Sequence, residues 1–147
     1  MVNDIVTGIT VQLNKKFGDS KKIYTSNVEQ GLEQPCFFVK LLTAINTPLI
    51  GKRKKRDYPF DIHYFPSDET DNEEMMAVGD CLMEVLEYIV MLDGDMLRGK
   101  DLEYEIRDGV LHFSVTYSCI LNDITKGETM KEYDLEVGVK DGENKAD

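Results

Sequence analysis

The sequence lacks the features that mark several classes of protein. It has no apolar run of membrane-spanning length, which excludes a membrane-spanning class. Its three cysteines are an odd number and lie far apart in apolar surroundings, so we expect buried, reduced thiols in a cytosolic product. Asp4 lies among the first apolar residues, so the start does not resemble a secretory signal. A chain of 147 residues can build one domain with a sizeable core, but not two ordinary ones.

Motifs for catalysis, cofactors and metals are also missing. Gly51-Lys52 lacks the earlier glycine and the following hydroxyl residue of a phosphate-binding loop, and no serine lies in a nucleophile elbow. The two histidines, His63 and His112, lie on the polar faces of predicted strands without further donors at metal-ligand spacing. We interpret them as solvated or ion-paired surface residues. The sequence therefore predicts no enzyme activity, no cofactor and no metal site.

Positive charge is absent from the middle of the chain. Residues 57–97 contain twelve Asp or Glu and no Lys or Arg, whereas residues 1–56 contain ten Lys or Arg and four Asp or Glu. The net charge of −11 disfavours a general affinity for nucleic acid or for an anionic membrane. One chain thus has a basic part and an acidic part, which could meet in a neighbouring copy.

The basic part contains five consecutive cations, which are Lys52, Arg53, Lys54, Lys55 and Arg56. Three interpretations of this cluster stay open: a solvated loop tip, contact with an acidic protein, or contact with phosphate. Two interpretations of the acids in residues 68–87 stay open. They form either a solvated helix face or a functional acidic surface, which would dock a basic partner or repel DNA.

Apolar periodicity predicts two helices. In the first, over about residues 3–17, Asn3 can cap the start and Gly18 can end the helix. Its apolar residues recur every four positions and are Ile5, Ile9, Leu13 and Phe17. In the second, Asp71 and Glu74 have capping-box spacing before a long apolar face. That face contains Met75, Val78, Leu82, Val85, Leu86 and Ile89, widened by Met76, Met83 and Val90.

Alternating apolar residues predict strands in hairpins. Residues 36–42 and 58–64 form the first pair, and Pro59 favours an edge position or the start of a strand. Asp108-Gly109 predicts a tight turn in the second pair. That turn sets a register with Ile106 opposite Leu111, Tyr104 opposite Phe113, and Leu102 opposite Val115. A fifth candidate strand contains Tyr133, Leu135, Val137 and Val139.

These elements predict an α+β fold with a mainly antiparallel sheet of four to five strands flanked by two helices. We expect a single domain over residues 1–140, with a long basic hairpin arm around residues 43–57. Residues 141–147 form a polar C-terminal tail in this interpretation.

The order of elements and several stretches resemble a family of phage proteins. The stretches are the helix at residues 5–17, the strand start at residues 33–39, the strand at residues 58–66 and the hairpin at residues 102–117. In these the chain is similar to the tail terminator, or tail completion, proteins of contractile-tailed phages of Gram-positive bacteria and of PBSX-like prophages. The resemblance covers nearly the whole chain but includes no catalytic motif.

The resemblance implies a structural virion protein, made in the bacterial host cytoplasm and located at the tail–neck junction. Such proteins form a ring, typically of six copies, at the head-proximal end of the tail tube. The ring ends polymerisation of tube and sheath and joins the tail to neck proteins, and DNA passes only as cargo. Its partners would be copies of itself and the tube, sheath and neck proteins. It would not bind a membrane.

Two hypotheses name the contacts. The cations Lys52 to Arg56 would reach the acidic part of a neighbour, and the strand with Tyr133, Leu135 and Val137 would add to a neighbour's sheet edge. Three alternatives remain: a head-closure or other head–tail joining protein, a small cytosolic ligand-binding domain or enzyme, and a regulatory protein that binds nucleic acid through residues 52–56.

Overall fold

The computed structural model describes residues 1–25 and 32–122. The chain divides into two units. The first, here called the sheet body, contains residues 1–43 and 58–117. The second contains residues 44–57, here called the basic arm, together with residues 118–122 among those described.

The described residues form two α-helices, α1 (Val2–Phe17) and α2 (Asn72–Val85), and a short 3₁₀ turn at Gly18–Ser20. Their strands are β1 (Lys22–Tyr24), β2 (Cys36–Leu41), β3 (Ile45–Pro48), β4 (Arg53–Phe65), β5 (Tyr88–Val90), β6 (Met96–Arg107) and β7 (Val110–Asn122). The expected α+β class is confirmed. The strand count is higher than expected because β1, β3 and β5, of three or four residues, are too short to give an alternating pattern.

Helix α1 begins earlier than the sequence predicts. The N–H groups of Asp4 and Ile5 both donate to the Met1 carbonyl, at 3.1 and 3.2 Å, so Met1 is the cap. The expectation that Asn3 caps the helix is wrong, because Asn3 lies within the first turn and its carbonyl accepts from the Thr7 hydroxyl. The expected end is confirmed, since Gly18 has a φ of 64° and its N–H donates to the Asn14 carbonyl.

Helix α2 has the predicted start but ends sooner. The Asp71 carboxylate accepts from the Glu74 N–H at 3.1 Å, which confirms the cap. The expectation that the helical face continues through Ile89 and Val90 is wrong, because both lie in β5. The Glu87 carbonyl accepts from the Gly99 N–H at 2.6 Å, so the backbone leaves the helix to pair with β6.

The strands follow the order β1-β2-β4-β7-β6-β5, and β3 pairs with β4 separately. β1 pairs with β2 in parallel, whereas β2–β4, β3–β4, β5–β6 and β6–β7 are antiparallel. The predicted hairpin pairing of residues 36–42 with residues 58–64 is confirmed by the register Phe37↔Tyr64 and Val39↔Ile62.

Pro59 does not mark an edge or the start of a strand. It lies in the middle of β4, which begins at Arg53 and has neighbours on both sides. The register with β2 covers residues 60–65 of β4, and the register with β3 covers residues 54–57. Pro59, which has no N–H to donate, therefore lies where β4 changes partner, and a proline is tolerated at such a position.

The β6–β7 hairpin has the predicted register near its turn. Asp108 and Gly109 have φ angles of 55° and 74°, as a type I′ turn requires. Ile106↔Leu111 and Tyr104↔Phe113 are paired as predicted. The pair Leu102–Val115 is not formed, because a register shift lies between Lys100 and Glu103. Asp101, with a φ of 56°, is part of the resulting bulge.

The core of the sheet body lies between the helices and one face of the sheet. The buried residues Ile5, Ile9 and Leu13 of α1 cluster with Met75 and Leu82 of α2. They meet alternate residues of three strands, which are Phe37, Val39, Phe60, Ile62, Tyr64, Leu111, Phe113, Val115 and Tyr117. The Tyr117 hydroxyl donates to the Leu86 carbonyl at 2.6 Å, so the end of α2 is bonded inside this core.

Candidate assembly surfaces

The five cations of the basic arm lie mostly in a strand. Lys52 is in the turn, where Gly51 has a φ of 76°, and Arg53 to Arg56 form the start of β4. β3 pairs with them in the register Asn46↔Arg56, Thr47↔Lys55 and Pro48↔Lys54. The interpretation as a loop tip is therefore wrong for four of the five, because backbone pairing with β3 extends the strand through them.

Alternation divides these cations between the two faces of the arm. Arg56 donates to the Asn46 side chain at 3.1 Å, and Lys55 lies 3.8 Å from the Asp57 carboxylate, which also accepts from Ser118. Among the described residues, the side chains of Arg53 and Lys54 have no hydrogen bond or ion pair. The mutual repulsion of five adjacent charges is thus reduced, and two cations remain for an external partner.

The basic arm also exposes apolar side chains. All four residues of β3 are exposed, including Ile45. In the turn that follows, Ile50 is 94% exposed. An apolar side chain at the end of a charged hairpin gains nothing from folding of the monomer, so its burial can contribute only to a contact with another molecule.

Most acids at the start of α2 serve local structure. The Asp68 carboxylate accepts from the Thr70 hydroxyl and N–H at 2.6 and 3.0 Å, and these bonds lower its pKa. Asp71 caps the helix. Glu74 accepts from the Tyr64 hydroxyl, whose pKa is raised by burial and then by this carboxylate. These contacts favour a structural role for this part of the acidic segment.

A second acidic region surrounds the β5–β6 hairpin. Glu87 pairs with Arg98 at 3.2 Å, and the Asp93 carboxylate accepts from the Asp95 N–H at 2.9 Å in the turn. Asp93 and Asp95 are both exposed, and no hydrogen bond of the Asp95 carboxylate is found among the described residues. This region differs from the start of α2 because its acids are not fully engaged within the chain.

The outer face of the same hairpin is apolar. Val90 pairs with Met96, and Tyr88 pairs with Arg98, whose guanidinium lies 5.7 Å from the Tyr88 ring centre. Val90 and Met96 are 50% and 61% exposed. Leu92, in the turn, is 76% exposed. We call Tyr88, Val90, Leu92 and Met96 the hairpin patch.

The backbone edge of β5, in contrast, is covered by α1. The Gln12 amide donates to the carbonyls of Val85 and Tyr88 at 2.9 and 3.1 Å. A Cβ at Gly8 would lie 3.2 Å from the Val90 carbonyl oxygen, which is a tight contact, so glycine favours this close approach. The hairpin patch is therefore a side-chain surface and not an open strand edge.

The structure brings together the two histidines, which lie far apart in the sequence. Their ring centres are 4.5 Å apart on the polar face of β4 and β7, and His63 Nε2 lies 3.7 Å from Asp61. Burial lowers the pKa of His63, His112 and Lys40 act in the same direction, and Asp61 opposes them. Only the neighbouring positions of β4 and β7, which are far apart in sequence, could have revealed this pair.

The remaining predicted features have mixed outcomes. None of the three cysteines forms a disulfide; Cys36 is buried as predicted, whereas Cys81 and Cys119 are half-buried. The candidate strand with Tyr133, Leu135 and Val137 lies outside the described residues. In the described part of the chain, no group of three or more His, Cys, Asp or Glu is placed to hold a metal ion. No helix there is long and apolar enough to cross a bilayer.

An α+β fold with exposed apolar and charged surfaces defines a protein suited to binding other proteins. The family model described as phage tail terminator protein matches residues 4–130, and the chain belongs to this family. It is therefore a structural protein of the phage tail, located in the virion and part of its assembly. No curated protein matches the sequence significantly.

Proposed function

We propose that the protein forms a closed ring of six copies at the head-proximal end of the tail tube of a contractile-tailed phage or prophage of the PBSX type. There it ends polymerisation of tube and sheath and joins the tail to neck proteins. Membership of the tail terminator family supports this position. DNA passes through the ring as cargo, and the net charge of −11 disfavours its retention.

The observation that carries the ring is the separation of charge within one chain. The basic arm contains Lys52 to Arg56, of which Arg53 and Lys54 have no described partner, whereas residues 57–97 contain twelve acids and no Lys or Arg. Two different surfaces of one protein that complement each other form a head-to-tail contact, and such contacts generate rings when the rotation between copies closes. The cations would thus reach the acidic part of a neighbouring copy.

Reversal of the five charges of Lys52 to Arg56 to Asp or Glu tests this contact. We expect the variant to stay folded by circular dichroism, since these side chains lie outside the core, but to form neither a ring nor complete tails. The mass of the purified protein and images of tails from a phage carrying the variant gene give the readout. Normal ring and tail assembly by this variant would contradict the proposed contact.

A second contact concerns Tyr133, Leu135 and Val137. Their alternation with acids supports a strand that adds to a sheet edge of a neighbour. A chain truncated at Thr129 should then lose the ring while residues 1–122 stay folded. A stable ring of the truncated chain would show that this segment is not needed between copies.

A head-closure or other neck protein is the nearest alternative. Images of isolated tails without heads separate the two functions, because a terminator remains on the tail tube when no head is attached. Absence of the protein from such tails would favour the neck component.

A further inference from the structure

Two exposed apolar features of the chain have opposite electrostatic surroundings. Ile50, at the end of the basic arm, is followed by Lys52, Arg53 and Lys54. The hairpin patch is bordered by Glu87, Asp93 and Asp95. Arg98 also borders the hairpin patch but is paired with Glu87, so the charge that remains there, on Asp93 and Asp95, is negative, whereas that of Arg53 and Lys54 is positive.

We infer that the basic arm of one copy docks on the hairpin patch of the next copy, with Ile50 as the apolar anchor and with Arg53 and Lys54, on opposite faces of the arm, reaching Asp93 and Asp95 from its two sides. This contact rests on the proposed ring and specifies which acids the cations meet. An apolar centre with a charged rim is the usual construction of a specific interface. Complementary rim charges fix its orientation.

The other acidic region fits this role less well. At the start of α2, Asp68, Asp71 and Glu74 already accept hydrogen bonds from Thr70, the helix backbone and Tyr64. No large exposed apolar side chain other than Met76 accompanies them in the described part of that helix. The hairpin patch offers both components, since four apolar side chains and acids lie within residues 87–96.

The backbone edge of β5 is not available as an alternative binding site for the neighbouring copy. Gln12 bonds the Tyr88 carbonyl, and α1 approaches the Val90 carbonyl closely at Gly8. Docking on the hairpin patch therefore uses side chains, and it can occur without displacing α1.

Two charge variants and their combination test the contact. The arm variant is Arg53→Asp with Lys54→Asp, and the hairpin variant is Leu92→Lys with Asp95→Lys. Each should weaken association between copies at least about tenfold, because like charges then face each other. In a chain that carries all four changes, the arm is acidic and the hairpin, with two new lysines beside the remaining Asp93, is basic on balance, so part of the lost association should return.

The matched control is Val11→Lys with Glu103→Lys, which likewise replaces one exposed apolar residue and one exposed acid by lysine, in α1 and β6. It should leave association unchanged. Ile50→Ser tests the apolar anchor without altering the sheet body, so it should weaken the ring while the unfolding temperature stays the same. Association is measured by sedimentation of the purified protein and by the fraction of complete tails in phage carrying each variant gene.

The outcomes separate this contact from the ring itself. If the ring still forms with the hairpin variant or with Ile50→Ser, the docking site is wrong, although the proposed ring stands. The docking site is also wrong if the combined variant restores no association. A wild-type protein that forms no ring, either in solution or on tails, would overturn the proposed function and this contact with it.

Discussion

The sheet body and the basic arm use the same residue types in opposite ways. In the sheet body, Ile62 of β4 is fully buried, whereas Ile45 of the neighbouring β3 in the basic arm is 52% exposed. Acids of the sheet body cap α2 and accept from Tyr64, whereas Arg53 and Lys54 of the basic arm have no such partner among the described residues. The sheet body thus accounts for folding of the monomer, and the basic arm presents groups whose burial and pairing require another molecule.

The largest expected difference in stability is between two Ile→Ala substitutions, one in the sheet body and one in the basic arm. Ile62→Ala removes packed methyl groups from the core and should lower the free energy of unfolding by about 2–5 kcal/mol. Ile45→Ala should change it by less than about 0.5 kcal/mol, because the side chain is already half exposed. Denaturant unfolding of both variants measures this difference. Equal losses would show that β3 contributes to monomer stability as the sheet body does.

A smaller difference in stability is expected between two Tyr→Phe substitutions. Tyr117→Phe leaves the buried Leu86 carbonyl without its donor and should cost about 1–3 kcal/mol. Tyr104→Phe removes a bond to Asp80 that is exposed to solvent, so the loss should be about 0.5 kcal/mol. Thermal unfolding of the two variants compares them. A neutral Tyr117→Phe would mean that the end of α2 is held by packing alone.

Substitution of two acids separates a contribution to folding from a contribution to docking. Asp71→Ala removes the cap of α2 and should lower the free energy of unfolding by about 1 kcal/mol. Asp95→Ala, in the exposed β5–β6 turn, should change it by less than about 0.5 kcal/mol but weaken the ring. Unfolding and sedimentation measurements on both variants are needed. The comparison fails if Asp95→Ala destabilises the monomer as much as Asp71→Ala.

The smallest effect concerns pH. The pKa of His63 is lowered from 6.5 by burial and by His112, so the unfolded chain takes up a proton before the folded chain does. The free energy of unfolding should therefore fall as the pH falls below about 6.5, through the lower pKa of the folded state. His63→Gln should flatten this dependence, as measured by denaturant unfolding between pH 5 and 8. A wild-type protein as stable at pH 5 as at pH 8 would contradict it.

The sequence was most informative where contacts are local. The turn at Asp108-Gly109 determines the pairing of Ile106 with Leu111, since hairpin register follows from the turn. The bulge beside Asp101 has no such local signal. The end of α2 was misplaced because Leu86 and Ile89 continue the helical spacing, while the competing partner, Gly99 of β6, is distant in sequence.

The candidate surfaces were predicted less completely than the fold. The cluster Lys52 to Arg56 is evident from the sequence. That Arg53 to Arg56 lie in a strand is not, because the strand depends on backbone pairing with β3 and not on these side chains. The sequence does not reveal the hairpin patch, because the spacing of Val90 matches the buried face of a longer helix. The pair His63 and His112 required knowledge that β4 lies next to β7.

The amide of Gln12 has a consequence for the time before assembly. An unpaired strand edge on a protein at high concentration is a template for irregular aggregation. Gln12 occupies the carbonyls of Val85 and Tyr88 with a side chain of the same molecule. Irregular pairing at this one edge is thereby hindered, and the side chains of the hairpin patch remain available for ordered contact.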